Sequence, residues 1–242
     1  MSKDFTLQDV DFLTSARGKA LLTELQQEDL SEANLLHLIP ALRSRYRVDE
    51  TSAVVETVKL RQRAVEKFGA DAATMLFTRD ALQQASDPLI RAYRASGASG
   101  VVIDACCSIG TDAIAFARAG CEVVGVDIDP VRVAMAEHNA AVMRVSVTFQ
   151  EMDVAAQALP PGDAVFFDPA RRDDRGKRIY DVNRYRPPLS TVRRWLDKYA
   201  PITIKLSPGV DLSQLDPYGG KVTFFSVGGE LKEANLSIAP LS

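Results

Sequence analysis

Two hydrophobic periods divide the chain. Up to about residue 96, apolar residues recur at spacings of three and four: Leu21, Leu22 and Leu25, then Leu35, Leu36, Ile39 and Leu42, then Val54, Val58, Val65 and Phe68. That is the period of helices that each bury one stripe. Start signals agree with it: Thr6 with Asp9 three residues on, Pro40 at a first-turn position, Thr78 ahead of Arg79-Asp80-Ala81-Leu82, and Asp87-Pro88 ahead of Leu89-Ile90. The pattern predicts an all-helical N-terminal domain over 1–96 and a linker of small residues at 97–100. From Val101 the period changes to short apolar runs at 101–105, 122–126, 145–149, 164–167 and 202–206, separated by stretches with room for crossover helices. Two further runs, 222–227 and 234–239, flank Gly228-Gly229-Glu230-Leu231-Lys232-Glu233, which has room for a turn and not for a helix. They are expected to pair as an antiparallel hairpin. The expected architecture over 101–242 is therefore α/β, a seven-stranded sheet of five crossover strands and a terminal hairpin.

Composition narrows the chemistry. The chain has 242 residues, 46% of them hydrophobic and 25% charged, which is the make-up of a folded protein with its own core. A net charge of −3 excludes an overall basic coat for nucleic acid and leaves room for a local basic patch. Three cysteines (Cys106, Cys107 and Cys121) at no paired spacing, with only His37 and His138, point to neither a disulfide framework nor a metal site. No N-terminal apolar run resembles a signal peptide or a membrane span, so a cytoplasmic protein is expected.

The richest segment for chemistry is Val101-Val102-Ile103-Asp104-Ala105-Cys106-Cys107-Ser108-Ile109-Gly110-Thr111-Asp112. It places an acid at the end of a buried strand, a tight turn containing Gly110, and a helix start near Thr111 whose N-terminus faces whatever the turn holds. A dinucleotide site would carry a G-x-G-x-x-G run here, and only one of its glycines is present. The segment resembles the D-x-x-x-G-x-G turn of class I methyltransferases, with Ser108 in place of the first glycine. Asp127-Ile128 at the second strand tip suits the two hydroxyls of a ribose. At the third tip, Asp153 suits an adenine amine and Met152 or Val154 its ring. Together these residues describe a site for S-adenosyl-L-methionine built from Asp104, Cys106, Ser108, Gly110, Thr111, Asp112, Asp127, Ile128, Asp153 and Val154, with Cys106 and Cys107 as small wall residues.

The fourth strand ends in Phe166-Phe167-Asp168-Pro169-Ala170-Arg171-Arg172. Asp168-Pro169 resembles the start of the D/N-P-P-Y/F/W motif of methyltransferases that act on exocyclic or amide nitrogens. In that motif the acid and the proline carbonyl hold the amine hydrogens, which makes Asp168 and Pro169 the candidate catalytic residues. Ala170 and Arg171 stand where the motif has its second proline and its aromatic ring. Residues 67–86, 104–112, 168–172 and 228–233 together resemble the bacterial THUMP-like-domain methyltransferases, relatives of trimethylguanosine synthase. The resemblance implies a Rossmann-like class I methyltransferase sheet with a helical domain packed over the cofactor mouth. It also implies that Phe77, Thr78 and Arg79 contact cofactor or substrate, Asp168 adding to the cofactor wall and Thr78 belonging to the cofactor set.

Between Arg171 and Arg186 lie seven cationic and three acidic side chains, a segment of +4 in a chain of −3. Arg171, Arg172 and Arg175, with Tyr180 and Tyr185 interleaved, suit an unstacked base and its phosphates, so an RNA or nucleotide-like substrate is expected. Arg43, Arg45, Arg47, Lys59, Arg61 and Arg63 offer a second basic face. Two other readings stay open at this point: methylation of a protein amide, and a non-catalytic RNA-binding protein that retains the fold.

Overall fold

A computed structural model describes residues 4–172 and 176–239. Six α-helices come first: α1 (Leu7–Thr14), α2 (Ala16–Leu25), α3 (Glu32–Arg43), α4 (Val48–Phe68), α5 (Arg79–Gln84) and α6 (Pro88–Ser96). The Thr6–Asp9 capping box starts α1, the Thr78 hydroxyl accepts from the Ala81 N–H to start α5, and Asp87 with Pro88 starts α6. Pro40 does not begin a helix. Ser31 occupies that role for α3, and Pro40 lies inside the helix, one turn from its end, where its missing N–H costs a single ladder bond. The stripe of buried positions includes Leu21, Leu22, Leu25, Leu35, Leu42, Val54 and Val58, while Leu36 (76% exposed) and Val65 (56%) face outward.

The sheet holds β1 (Val101–Ala105), β2 (Glu122–Asp127), β3 (Thr148–Glu151), β4 (Ala164–Phe167), β5 (Ile202–Leu206), β6 (Lys221–Val227) and β7 (Glu230–Ile238) in the order β3-β2-β1-β4-β5-β7-β6. All neighbours are parallel except the pairs β5–β7 and β6–β7. The seven-stranded α/β layout expected from the sequence is present. Three details differ. First, β3 starts at Thr148 because residues 143–145 are used to end α8 (Pro130–Val142): Arg144 adopts φ 56° and the Val145 N–H closes on the Ala140 carbonyl. Second, the hairpin turn is only Gly228-Gly229, both at positive φ, so Glu230 to Glu233 belong to β7. Third, among the described residues α-helical crossovers follow only β1, as α7 (Thr111–Arg118), and β2, as α8. Pro160-Pro161-Gly162 and Pro187-Pro188 deny a helix to the later connections, which run as loops and short 3-10 turns.

The helical region shares its core with the sheet layer. Ile109 and Met135 join the cluster of Leu21, Leu25, Val54, Val58 and Leu76. Fully buried Asn139 of α8 accepts from the Leu76 N–H at 2.7 Å and donates to the Leu76 and Ile109 carbonyls, both at 3.0 Å. Those three bonds tie the segment before α5 to the turn after β1. Asn139→Ala should leave three buried backbone groups unpaired and lower stability by about 2–4 kcal/mol. Urea denaturation of both proteins measures the difference, and a loss under about 0.5 kcal/mol would show that water replaces the amide.

Candidate active site

β1 lies between β2 and β4, so the crossovers leave it toward opposite sides and a crevice opens beyond the strand tips. A cavity of about 460 Å³ occupies that crevice. Its walls include Asp104, Cys106, Asp127, Ile128, Met152, Asp153, Val154, Asp168 and Lys205 from the strand tips, with Ala81, Gln84 and Ala85 contributed by α5.

The turn after β1 is held in costly backbone geometry. Cys106, Ser108 and Gly110 have φ of 66°, 51° and 79°, and only glycine adopts such values cheaply. The turn persists because the Ser108 N–H donates to Asp127 Oδ2 at 2.8 Å, while the Asp129 N–H donates to Asp127 Oδ1 at 3.0 Å. Burial pushes the Asp127 carboxyl up from its ordinary value, and these N–H groups and Arg132 pull it back down. Asp127 thus anchors the loop with one N–H on each oxygen, and each oxygen keeps a lone pair for a ligand hydroxyl.

Asp104 is 1% exposed, and neither of its carboxyl oxygens has a hydrogen bond of good geometry, the nearest backbone donor being the Ala113 N–H. Burial, then the negative charges of Asp112 and Asp168, push its carboxyl well above the carboxylate range. An orphaned buried carboxyl in a cavity wall is the mark of a group waiting for a donor. Asp112 also lines the cavity, but its carboxylate is ion-paired with Arg94 of α6. Arg94 pairs in addition with Glu233 of β7 and stacks 4.2 Å from the centroid of the Phe166 ring. Burial raises the Cys106 and Cys107 thiols well above their ordinary values, so both are neutral wall residues.

Asp168, at the tip of β4, accepts from Lys205 Nζ at 2.7 Å on Oδ2, and Arg171 stands 4.0 Å from Oδ1. Asp153 lines the cavity while its Oδ1 accepts from the Ala155 N–H, so it shapes its own turn. The segment after Asp168 leaves and returns through a bridge between Ala170 and Arg186, which makes the basic run a closed excursion from the cavity rim.

Three comparisons bear on this geometry. Residues 6–64 match a domain of unknown function, DUF8688, and residues 102–168 match the family described as Methyltransferase domain. The chain carries a methyltransferase domain. It is 36% identical over 204 residues to an uncharacterized S-adenosylmethionine-dependent methyltransferase of Mycobacterium tuberculosis, an alignment covering 80% of this chain and 56% of that one. The chain thus spans just over half the length of the curated relatives it matches. The same fold occurs in the crystal structure of a putative methyltransferase from Porphyromonas gingivalis W83, with TM-score 0.66 and 17% identity over 88% of this chain and 59% of that one.

Several expected contacts are placed elsewhere. Phe77 is 1% exposed and packs on Phe68 with ring centroids 5.1 Å apart, Thr78 caps α5, and Arg79 pairs with Glu56 at 3.2 Å; none of the three lines the cavity. The apolar run before α5 is drawn into the core, and it is the next turn, Ala81 to Ala85, that reaches the site. Tyr180 and Tyr185 do not form a matched pair: Tyr180 is 56% exposed, whereas Tyr185 is 2% exposed and forms part of the cavity wall. Arg175 lies outside the described residues. On the second basic face, Arg45 pairs with Glu24, Arg47 pairs with Asp49, and Arg61 donates to the Thr74 and Met75 carbonyls. Among the described residues there is no cluster able to hold a metal and no helix long and apolar enough to cross a membrane.

Two functional features escaped the sequence. Lys205 sits in the run Ile202-Thr203-Ile204-Lys205-Leu206, and a lone lysine near the tip of a buried strand was the available signal. Arg94 and Glu233 are 139 residues apart, and no local pattern links them.

Because the Asp104 carboxyl is raised in the folded state, its stabilising contribution is complete below its unfolded value of 3.8 and is lost as the pH climbs through the folded value. Relative to Asp104→Asn, the wild type should therefore lose stability as the pH rises above that unfolded value of 3.8. Parallel urea titrations at rising pH test this, and curves that stay parallel would show that Asp104 is ionised in the fold.

Proposed function

We propose that this protein transfers the methyl group of S-adenosylmethionine to a nitrogen of RNA or a nucleotide-like substrate. The observation that carries the cofactor assignment is the orphaned Asp104 carboxyl within a ring of strand-tip acids, because such a wall suits a ligand that brings cationic and hydroxyl donors. The Asp127 oxygens would hold the ribose, the Asp153 turn with Met152 and Val154 the adenine, and Asp104 the donors of the methionine end. When bound there, S-adenosylmethionine supplies a methyl group on a sulfonium, whose sulfur leaves neutral.

The protein's own task is mostly alignment. Asp168 accepts an N–H of the acceptor, the Pro169 carbonyl accepts a second, and the nitrogen lone pair is left facing the methyl. Asp168 then stabilises the positive charge that builds on the nitrogen and receives the proton the nitrogen sheds. No histidine is needed. Asp168→Ala should retain affinity for the cofactor and lose turnover by about 100-fold or more. Calorimetry with S-adenosylmethionine, together with transfer of labelled methyl to total RNA, total protein and small-molecule fractions, checks both halves. Wild-type turnover in the variant would end the nitrogen-methylation reading, and label in protein instead of RNA would favour a protein amide as acceptor.

The RNA part of the reading is supported by the excursion at the cavity rim, where Lys177, Arg178 and Arg186 are exposed around Tyr180. A cationic segment on an acidic chain concentrates a polyanion in one place. The narrower kinship with THUMP-like-domain methyltransferases and trimethylguanosine synthase belongs to this proposal, as does a cytoplasmic location. RNA affinity should fall with salt at about −0.7 log units per phosphate neutralised. Neutralising Arg172, Lys177 and Arg178 together should flatten that slope at unchanged cofactor affinity, whereas Tyr180→Ala should cost about 1–3 kcal/mol with the slope preserved. RNA binding identical in the triple variant would remove the excursion from the substrate site.

A further inference from the structure

We infer that Lys205 is the positioning residue of the catalytic turn: its ammonium occupies Oδ2 of Asp168, so the carboxylate meets the acceptor through Oδ1 alone. The identity of the acceptor rests on the methyl-transfer reading, whereas the pairing stands on geometry.

A lysine is rarely buried, and Lys205 is 2% exposed. Its Nζ lies 2.7 Å from Asp168 Oδ2 and 3.0 Å from the carbonyl of Gln84, the last residue of α5. The neighbouring carbonyls of Leu82, Gln83 and Ala85 are taken by Lys67 at 3.0, 3.2 and 3.0 Å. Two lysines thus cap four successive carbonyls at the negative end of α5. The Lys205 ammonium is fixed from one side by that helix end and from the other by its strand, and it holds Asp168 between them.

The charged groups around the pair do not offer Asp168 a better partner. Arg171 stands 4.0 Å from Oδ1, beyond hydrogen-bond distance. Arg94 is committed to Asp112 and Glu233, Lys67 to its carbonyls, and Arg186 lies at the rim of the cavity. Asp104 lines the same cavity with its carboxyl pushed toward the neutral form, and the Tyr185 hydroxyl is buried nearby. Removing Lys205 would take away the 2.7 Å contact and leave Arg171 at 4.0 Å.

The sequence of the turn explains why it needs such a support. Ala170 and Arg171 replace the second proline and the aromatic ring that stiffen the motif it resembles. An ion pair from the adjacent strand supplies the rigidity that the turn's own residues do not. With Oδ2 occupied, the acid offers one lone-pair direction to the substrate, which selects one orientation of an amine.

The test is nitrogen-15 NMR of the Lys205 ammonium, its resonance assigned by its loss in Lys205→Arg. Its protons should exchange much faster in Asp168→Asn than in wild type, and equal exchange overturns the inference. Turnover in Lys205→Met should fall about 100-fold while affinity for S-adenosylmethionine changes less than threefold, with partial recovery in Lys205→Arg. Wild-type turnover in a folded Lys205→Met also overturns the inference. Slow ammonium exchange in a wild type that methylates no fraction would retain the pairing and remove the methyl-transfer reading.

Discussion

A guanidinium is expensive to bury unless its charge is matched, and Arg94 is matched on both sides. Its partners are Asp112 in the first turn of α7 and Glu233 on β7, each less than a tenth exposed, with Ser86 and Asn235 completing the hydrogen bonds of Glu233. This one side chain therefore ties three elements far apart in the chain: the last helix of the N-terminal region, the helix that leaves the cofactor turn, and the antiparallel strand beside β5. The position of α5 against the cavity depends on it, since α5 and α6 are separated only by Ala85, Ser86 and Asp87 and Ser86 is bound into the same cluster. Breaking such a cluster leaves an uncompensated buried charge, which is typically worth 3–5 kcal/mol.

Around that anchor the charges are segregated by task. The cavity wall is acidic, with Asp104, Asp112, Asp127, Asp153 and Asp168 all within it. Two of the five are balanced by buried cations, Asp112 by Arg94 and Asp168 by Lys205. Asp127 is occupied by backbone N–H groups, and Asp104 has no hydrogen bond of good geometry. A site of this kind has one carboxyl in reserve, and a ligand that brings donors or positive charge relieves its burial. The basic excursion after Asp168 departs and returns at the cavity rim through the Ala170–Arg186 bridge.

Methyl transfer from a sulfonium asks for little proton traffic and much alignment. For that proposed reaction the protein offers fixed elements. The strained Cys106-to-Gly110 turn is pinned by Asp127, α5 is pinned at its C-terminus by Lys67 and Lys205, and Asp168 is pinned by the same Lys205. Each pin is a charged group meeting backbone dipoles or an opposite charge in a site shielded from water, where such bonds are strongest.

What the sequence determined by itself is whatever depends on neighbours in the chain. Strand runs such as Val101–Ala105 and Ala164–Phe167 were legible because a strand between two helical layers must be apolar along its whole length. Helix starts at Thr6, Thr78 and Asp87 were legible because a cap is a contact over two or three residues. The strand-tip acids followed, since a parallel sheet brings its carboxyl ends together whatever else the chain does. Pairings between distant residues decided the rest. Phe77 was drawn into the helical core and its place at the cavity went to the following turn, Tyr185 was taken into the wall while Tyr180 stayed outside, and the lysine and arginine that balance Asp168 and Asp112 came from β5 and α6. Local patterning encodes which face of an element is buried; which partner it is buried against is a matter of charge and shape complementarity between segments a hundred or more residues apart, and only the folded chain resolves it.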